Sequence, residues 1–192
     1  MEALPQNTAL IIIDVQKGFD EPFWGERNNP YAEENIAKLL KKWRETERPI
    51  IHIQHLSENI HSPLHPNQPG CEFKEIVKPI ANEPVITKNV NSAFIGTNLE
   101  QVLREYGCTN LVIAGLTTNH CVSTTTRMAG NLGFTTFIVS DGTATFDRTG
   151  FDGKLYKAED IHMISLVNLH EEFATVLSTN EVLGMIFNYA SN

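Results

Sequence analysis

The chain has 192 residues, which is the length of one ordinary domain and enough to bury a large apolar core. Hydrophobic residues make up 41% of the sequence and charged residues 20%, a composition that excludes an intrinsically disordered chain. The formal charge is -8, from 15 basic and 23 acidic side chains. An acidic chain lacks the electrostatic footprint of a protein that binds nucleic acid or docks on anionic lipid. We therefore expect neither a nucleic acid nor a membrane as a partner.

The cysteines and the N-terminus indicate the compartment. The three cysteines, Cys71, Cys108 and Cys121, are odd in number and widely spaced, which favours reduced thiols over a disulfide framework. Met1–Thr8 lacks the basic residues of a secretory signal. No apolar run approaches the roughly 18 residues of a membrane span. We expect a cytoplasmic protein.

Apolar, β-branched runs alternate with segments of helical spacing along the chain. The runs are continuous, as strands covered on both faces require. The predicted strands are Ala9–Ile13, Ile50–Ile53, Val85–Thr87, Leu111–Ala114, Thr135–Val139 and Phe173–Leu177. The predicted helices are Tyr31–Arg48, Asn98–Tyr106, His120–Leu132, Lys157–His170 and Glu181–Phe187. This alternation predicts an α/β fold with a mainly parallel sheet, in one domain over residues 1–192.

Several predicted helices carry end signals. Thr97, with Glu100 three residues later, predicts a capping box at the start of the second helix. Ser178 or Thr179 can cap the last helix. Gly107 follows the end of the second helix, where a residue in the left-handed conformation is typical.

The segment Gln54–Pro84 is an abnormally long connection between two short strands. Such joints usually have about two to six residues, and a much longer one tends to be a functional cover or an interface element. The segment also holds His55, His61 and His65, and His52 lies just before it. Histidines can bind a metal, but the carboxylates near them are only Glu58 and Glu72, so we expect no metal.

Several common catalytic motifs are absent. No glycine-rich dinucleotide fingerprint or phosphate loop follows any predicted strand, and no serine has glycine two residues away on both sides. These absences argue against a dehydrogenase, an NTPase and an α/β-hydrolase. We expect no cofactor.

Polar residues placed where strands end are the remaining candidates. Asp14 ends the first predicted strand, Lys88 ends the third, and Cys121 follows the fourth at the point where a helix begins. Open α/β sheets bind ligands at the carboxyl ends of their strands, where the strand order reverses. If the order is 3-2-1-4-5-6, Asp14 and Cys121 face each other across this crevice, with Lys88 reaching in.

This trio is suited to covalent catalysis. A helix N-terminus and a nearby cation lower the pKa of a thiol, so we expect Cys121 to ionise readily beside Lys88. Asp14 can accept the thiol proton and later deliver it to a leaving amine. Backbone N–H groups of the tight turn from Leu116 to Cys121 can stabilise an oxyanion.

The chain resembles the isochorismatase-like cysteine hydrolases, a family that includes nicotinamidases and ureidoacrylate amidohydrolases. The resemblance covers residues 8–176, and it rests on several motifs that occur together in the family's order and spacing. These are Ile13–Phe19, Thr87–Lys88, Ser92–Phe94, Gly96–Leu99, Gly115–Val122 and Asp141–Gly142. The family implies a three-layer α-β-α, Rossmann-like fold with a six-stranded sheet.

The resemblance also implies the roles of the site residues. Asp14, Lys88 and Cys121 form the catalytic triad, and the backbone amides of Thr117 and Cys121 form the oxyanion site next to a cis peptide between Leu116 and Thr117. The thiolate attacks a carbonyl, ammonia or an amine leaves, and the acyl-enzyme is hydrolysed. The substrate is then a small amide, carbamoyl or ureido compound. Members of the family commonly assemble as homodimers or homotetramers, and Met185–Tyr189 is a candidate contact.

Several residues after strand ends are candidates for binding the substrate. The candidates are Gln16, Phe19, Trp24, His55 and Phe94. Aromatic side chains in such places can line a pocket for a flat substrate, although packing beneath the long connection is an alternative.

Two other functions remain open. Nicotinamidases hold a metal with an Asp-x-His pair after the second strand, and this chain has Gln54 and His55 there, without the carboxylate. The first alternative is therefore a nicotinamidase with an atypical metal site. The second is a non-catalytic thiol-sensing or binding protein on the same fold, in which Cys121 is oxidised readily.

Overall fold

The computed structural model describes residues 2–186 of the chain. The strands are β1 Ala9–Ile13, β2 Ile50–His55, β3 Val85–Lys88, β4 Asn110–Leu116, β5 Thr135–Ala144, β6 Arg148–Thr149, β7 Leu155–Tyr156 and β8 Thr175–Leu177. The helices are α1 Ala32–Glu45, α2 Leu99–Glu105, α3 Ser123–Asn131, α4 Ala158–Val167 and α5 Thr179–Gly184. A π-helical turn, Thr118–Val122, leads into α3, and four short 3₁₀ helices lie in the loops.

The main sheet has six strands, all parallel, in the order β3-β2-β1-β4-β5-β8. The predicted α/β class, the three layers and the strand order 3-2-1-4-5-6 are confirmed, with β8 as the sixth strand. The strands β6 and β7 form a separate antiparallel hairpin that was not predicted, because two-residue strands carry too little pattern to detect. The strand order reverses between β1 and β4.

The central strand β1 is buried along its whole length, which explains its continuous apolar sequence. Ile11 and Ile13 belong to the core on one face of the sheet, with residues of α2, α3 and α4. Leu10 and Ile12 belong to the core on the other face, with residues of α1 and α5. A core on each face holds the sheet rigid, so its strand ends form a fixed platform.

The predicted helix starts differ in their outcomes. At α5, Ser178 and Glu181 form the complete capping box. At α2, the capping box predicted from Thr97 and Glu100 is wrong: the N-cap residue is Asn98, and its side chain makes no capping hydrogen bond. The Thr97 hydroxyl donates to the carbonyl of Ala93, 2.5 Å away, and accepts from the amide of Leu99 at 3.3 Å, so it bonds to the start of the helix without forming the box.

The long connection folds back onto the segment that follows β1. The amide of Lys17 donates to the carbonyl of Glu72, and the amide of Lys74 donates to the carbonyl of Val15. Between these two hydrogen bonds, Gln16 and Phe73 form an isolated antiparallel β-bridge. The connection is therefore attached to the carboxyl end of β1, where Asp14 lies.

The C-terminal predictions reach the edge of the described chain. The predicted helix Glu181–Phe187 is observed as α5, and residue 187 lies outside the described residues. The candidate contact segment Met185–Tyr189 is described only to Ile186, so a homodimer or homotetramer stays a prediction. Within residues 2–186, no helix has the length and the apolar character needed to cross a membrane.

Gly115 allows β4 to lie close to β1 just before the turn that carries Cys121. Its φ is +129°, and a Cβ added here would lie 2.1 Å from the carbonyl oxygen of Ile13. Any side chain would therefore both strain the backbone and push the two central strands apart.

We predict that Gly115→Ala lowers the free energy of unfolding by more than about 3 kcal/mol, because backbone strain and overpacking add. Urea titration followed by circular dichroism measures this. Gly184→Ala is the matched control, since an added Cβ meets nothing within 4 Å there. It should change stability by less than about 1 kcal/mol. Equal stability of the two variants would contradict the conclusion that the close approach of β4 to β1 requires a glycine at position 115.

Candidate active site

Asp14, Lys88 and Cys121 meet at the carboxyl end of the sheet. Asp14 follows the last residue of β1, Lys88 is the last residue of β3, and Cys121 lies in the π-helical turn after β4. Lys88 Nζ lies 2.6 Å from Asp14 Oδ2 and 3.4 Å from Cys121 Sγ. All three residues are buried. The crevice geometry expected from the strand order is thus the one observed.

His55 completes the surroundings of the lysine. It is the last residue of β2, pairs with Lys88 in the sheet register, and places Nδ1 3.0 Å from Lys88 Nζ. An ammonium group has three N–H donors, and here each has one acceptor: Asp14, His55 and Cys121. The charge of Lys88 is therefore held at the centre of the site.

The lysine and the burial of the site keep His55 neutral. Burial, with a further contribution from the positive charge of Lys88, lowers the pKa of His55 to about 4. Because Nδ1 accepts a hydrogen bond from Lys88, the ring proton must lie on Nε2. His55 can then act as a neutral N–H donor toward a ligand.

The Cys121 thiol is not activated in the way that its position suggests. Burial and the negative charge of Asp14 raise its pKa to about 12, and the opposing effect of Lys88 is smaller. The expectation of a readily ionised thiol is therefore wrong for the free protein. The physical reason is that burial disfavours a charged sulfur, and that Lys88 already pairs with a carboxylate, so the cluster is electrically balanced while the thiol keeps its proton.

Asp14 has one carboxylate oxygen free to accept a proton. Oδ2 is bonded to Lys88, whereas Oδ1 is buried and has no hydrogen-bond partner among the described residues. Burial raises the pKa of the Asp14 carboxyl, and Lys88 opposes this shift. Cys121 Sγ and a carboxylate oxygen of Asp14 lie within 4.8 Å of each other. The arrangement suits transfer of a proton from sulfur to carboxylate.

The turn that carries Cys121 has an unusual backbone. The peptide bond between Leu116 and Thr117 is cis, as the resemblance implies. The carbonyl of Thr117 accepts hydrogen bonds from the amides of His120 and Val122, the second of which defines a π-helical turn. A side-chain contact attaches the turn to α4, because the hydroxyl of Thr118 lies 2.9 Å from Nδ1 of His162. Such turns are frequent at functional sites.

A small cavity of about 120 Å³, here termed the inner cavity, opens onto two of the three catalytic candidates, Asp14 and Cys121. It is lined by Asp14, Phe19, Trp24, His55, Leu64, Asn91, Thr117, His120 and Cys121. Of the substrate-binding candidates, Phe19, Trp24 and His55 therefore face it.

Two of the substrate-binding candidates lie elsewhere, which corrects the expectation for them. The Gln16 amide nitrogen donates to the carbonyls of His55 and Cys71, and its oxygen accepts from the amide of His55. It therefore fastens the long connection to β2. Phe94 stacks on Phe134, with ring centroids 6.2 Å apart, and packs against the core.

Asn91, His120 and Leu64 are lining residues that were not predicted. Asn91 lies between the motif residues Lys88 and Phe94, and its side-chain oxygen is 3.8 Å from Cys121 Sγ. His120 precedes Cys121 in the chain. Asn91 lies between two of the family motifs and His120 lies inside another. The motifs could therefore have identified both residues as candidates. Leu64 comes from the long connection, where no local pattern predicts which side chain points inward.

Comparison with known proteins identifies the family of the chain. The sequence profile of the isochorismatase domain matches residues 8–181. The isochorismatase family protein YrdC of Bacillus subtilis is 55% identical over 180 residues, covering 94% of this chain and 96% of the relative. The chain belongs to the isochorismatase family. The predicted family is therefore confirmed.

A solved structure of this family has nearly the same fold. It is a protein from Chromobacterium violaceum assigned to the isochorismatase hydrolases, with a TM-score of 0.93 and 43% identity, and 96% of each chain is covered. Further relatives carry more specific names. Nicotinamidase 3 of Arabidopsis thaliana is 27% identical over 91% of this chain and 86% of its own. A cysteine hydrolase of Pseudomonas syringae has a TM-score of 0.87 at 26% identity, covering 96% of this chain and 94% of its own.

The residues of this isochorismatase-family site do not suit a metal ion. Within residues 2–186, Asp14, His55 and Cys121 form the one group of three metal-binding side chains whose ligand atoms lie close together. Lys88 Nζ is bonded to all three, so a cation there would meet an ammonium group. Gln54, at the position of the nicotinamidase carboxylate, donates to the carbonyl of Cys71.

The other histidines of the long connection do not converge on this site. His61 and His65 line two separate cavities, and neither of them lines the inner cavity. His52 bonds to Glu83, with 2.8 Å between His52 Nε2 and the carboxylate. The described histidines therefore offer no shared metal site.

We predict that the His55 ring stays neutral down to about pH 5, with its proton on Nε2. Two-dimensional ¹H–¹⁵N spectra of the histidine rings measure both properties, and His55→Gln assigns the signals. The folded pKa of about 4 lies below the ordinary 6.5, so His55 contributes stability above pH 6.5 that is lost as the pH falls toward 4. A midpoint near 6.5 would contradict the contact with Lys88.

We also predict that alkylation of Cys121 by iodoacetamide rises about tenfold per pH unit from pH 6 to 9.5, because only the thiolate reacts and the thiol pKa is about 12. Peptide mass spectrometry after timed quenching measures the rate at each cysteine. The urea-unfolded chain is the control and should show an ordinary thiol midpoint near 8.5. A plateau below pH 8 in the folded protein would show a stabilised thiolate instead.

Proposed function

We propose that this isochorismatase-family protein is a cysteine-dependent hydrolase that cleaves a C–N bond of a small amide, carbamoyl or ureido compound through a thioester acyl-enzyme. The observation that carries the proposal is the contact of one buried ammonium group, on Lys88, with both Asp14 and Cys121 at the wall of a cavity. A nucleophile beside a general base and an orienting cation is the arrangement that nucleophilic catalysis requires. The relatives named nicotinamidase and cysteine hydrolase support the reaction type.

Acylation begins with proton transfer from Cys121. Because the pKa of this thiol is raised, sulfur gives its proton to Asp14 as it attacks the carbonyl carbon, rather than before. A C–S bond forms, and the carbonyl π electrons move to oxygen. The backbone amides of Thr117 and Cys121 stabilise this oxyanion, a contribution of typically about 3 kcal/mol for one donor.

Collapse of the tetrahedral intermediate completes acylation. The C–N bond breaks, Asp14 returns the proton to the departing nitrogen, and ammonia or an amine leaves with a thioester on Cys121. Water then attacks the thioester carbon while Asp14 accepts its proton. The C–S bond breaks, the carboxylic or carbamic acid leaves, and the sulfur regains a proton. Lys88 stays an ammonium throughout and holds Asp14 in place.

The nicotinamidase alternative is favoured by one observation, the similarity to Nicotinamidase 3. The surroundings of His55 oppose its metal-dependent form, because Lys88 occupies the position between the candidate ligands. Nicotinamide therefore belongs in the substrate screen as one amide among several, with and without a chelator.

The thiol-sensing alternative needs a thiol that is ionised at neutral pH, because the thiolate is the form that oxidants attack. Burial and Asp14 raise the pKa of the Cys121 thiol to about 12, which opposes this function. The same protonated thiol suits an enzyme whose base acts only when the substrate is bound.

We predict that the wild-type protein releases ammonia from at least one member of a set of simple amides, N-carbamoyl compounds and ureas, and that Cys121→Ala lowers kcat/KM at least ~1,000-fold. Coupled ammonia detection measures the rate. Mass spectrometry of acid-quenched wild-type protein should show the acyl group on the Cys121 peptide. The matched control is Cys108→Ala, which removes a buried thiol that does not line the inner cavity and should keep activity. Equal loss in both variants, or full activity of Cys121→Ala, would refute the nucleophile.

A further inference from the structure

A second and larger cavity, here termed the outer cavity, lies beside the inner cavity. Its volume is about 680 Å³. It is lined by two segments: residues 21–24, which include the 3₁₀ helix Pro22–Trp24, and residues 57–70 of the long connection. The long connection therefore builds a wall of this cavity, in keeping with its abnormal length.

The two cavities adjoin at three places. Trp24 lines both cavities. Leu64 lines the inner cavity and its chain neighbour Pro63 lines the outer one. At the end of β2, His55 lines the inner cavity and Ser57 the outer one, and the amide of Ser57 donates to the carbonyl of Leu64. A molecule that fills the inner cavity therefore has the outer cavity next to it.

The inner cavity is too small to hold a whole substrate of ordinary size. Its volume of about 120 Å³ compares with about 30 Å³ for the share of one water molecule in the liquid. That space accepts an amide or ureido group and little more. Any larger substrate must extend out of it.

Trp24 forms a fixed aromatic boundary between the cavities. Its indole N–H donates to the carbonyl of Gly18, 2.7 Å away. Its ring contacts Phe19 and Phe146, with centroids 5.1 and 5.7 Å away. Phe23 packs edge-on against Trp24 and is 75% exposed at the outer cavity. The outer cavity thus offers apolar and aromatic surface beside the reacting group.

The charge of the outer cavity limits what can bind there. Among the described residues that line it, Glu21 carries the one carboxylate, and none is a lysine or an arginine. The other polar lining residues include the neutral side chains of Asn59 and Gln68. A carboxylate bound there would lose water and meet no lysine or arginine, since His61 is the one basic side chain among the described lining residues, and this is unfavourable. A neutral group, or a cationic group near Glu21, meets no such cost.

We propose that the outer cavity is a subsite for the non-reacting half of the substrate, and that this half is an extended neutral or cationic group rather than an anionic one. The proposal rests on the proposed amide hydrolysis. Under it, the amide group enters the inner cavity against Cys121, and the rest of the molecule lies along Trp24 and Phe23. The long connection is then the segment that determines specificity.

Four primary amides with the same reacting group test the proposal: acetamide, hexanamide, 6-aminohexanamide and adipamic acid. We expect kcat/KM for hexanamide to exceed that for acetamide at least about tenfold, because the tail gains apolar contacts. We expect 6-aminohexanamide to be no worse than hexanamide, and adipamic acid to be at least about tenfold worse. Binding of the same amides to Cys121→Ala, measured by calorimetry, should follow the same order.

Two variants locate the effect in the outer cavity. Gln68 is exposed, and its side chain makes no hydrogen bond to any described residue, so Gln68→Trp fills the cavity without breaking a contact. It should lower the ratio of kcat/KM for hexanamide to that for acetamide at least about tenfold. Glu21→Gln should reduce the preference for 6-aminohexanamide over hexanamide about twofold to fivefold. Glu172→Gln removes an exposed carboxylate that lines neither cavity and should change neither ratio.

The failures of the two proposals are distinguishable. If the amides are hydrolysed but the tail has no effect, or adipamic acid is the best substrate, the outer-cavity inference is overturned and the cysteine hydrolase stands. If no amide, N-carbamoyl compound or urea is hydrolysed and none acylates Cys121, while binding of the amides to Cys121→Ala still depends on the tail and on Gln68, the subsite stands and the proposed reaction is overturned.

Discussion

The buried ion pair between Lys88 and Asp14 is the interaction on which the site depends. The side chain of Lys88 is 0% exposed and that of Asp14 is 1% exposed, so water does not solvate either charge. Removing an ion from water costs several kcal/mol, and loss of one partner of a buried pair typically costs about 3–5 kcal/mol. The three contacts of the ammonium group recover this cost only if Asp14, His55 and Cys121 all stay in place. The parallel strands on which Asp14, His55 and Lys88 stand provide that rigidity, with a core on each face of the sheet.

Burial, together with this ion pair, also explains why the thiol stays protonated. A lysine near a cysteine lowers the thiol pKa, and this effect is largest when the lysine has no other charged partner. Here Asp14 neutralises Lys88, and the carboxylate itself opposes a second negative charge on Cys121. The site therefore holds a carboxylate, Asp14, beside a thiol, Cys121, that is still neutral. In the proposed reaction, the sulfur becomes nucleophilic as Asp14 takes the proton, which couples ionisation to the presence of a carbonyl group. Such a resting state also limits oxidation of the thiol.

The segments that follow β1 and β2 link the catalytic residues to the surrounding cavities. Gln16, adjacent to the active-site strand end, bonds to the backbone of His55 and Cys71, so the long connection is fastened beside Asp14. Trp24 and Leu64, from these segments, then line the inner cavity. In the proposed function, the reacting groups thus stand at rigid strand ends, whereas the walls that select a substrate come from loops. This division lets one sheet serve different substrates, since loops tolerate changes in sequence.

The sequence by itself determined the fold class, the strand order and the strand ends that bear Asp14, Lys88 and Cys121. The fold class and the strand ends follow from local patterns, namely continuous apolar runs and helical spacing, whereas the strand order follows from the resemblance to the family. Tertiary structure decided the direction of the Cys121 pKa shift, the structural roles of Gln16 and Phe94, and the inward position of Leu64. The failed capping box at Thr97 has the same origin, because the hydroxyl bonds to Ala93 and Leu99 without forming the box. A pKa and a side-chain contact depend on every group that surrounds an atom, and most of those groups are distant in the chain.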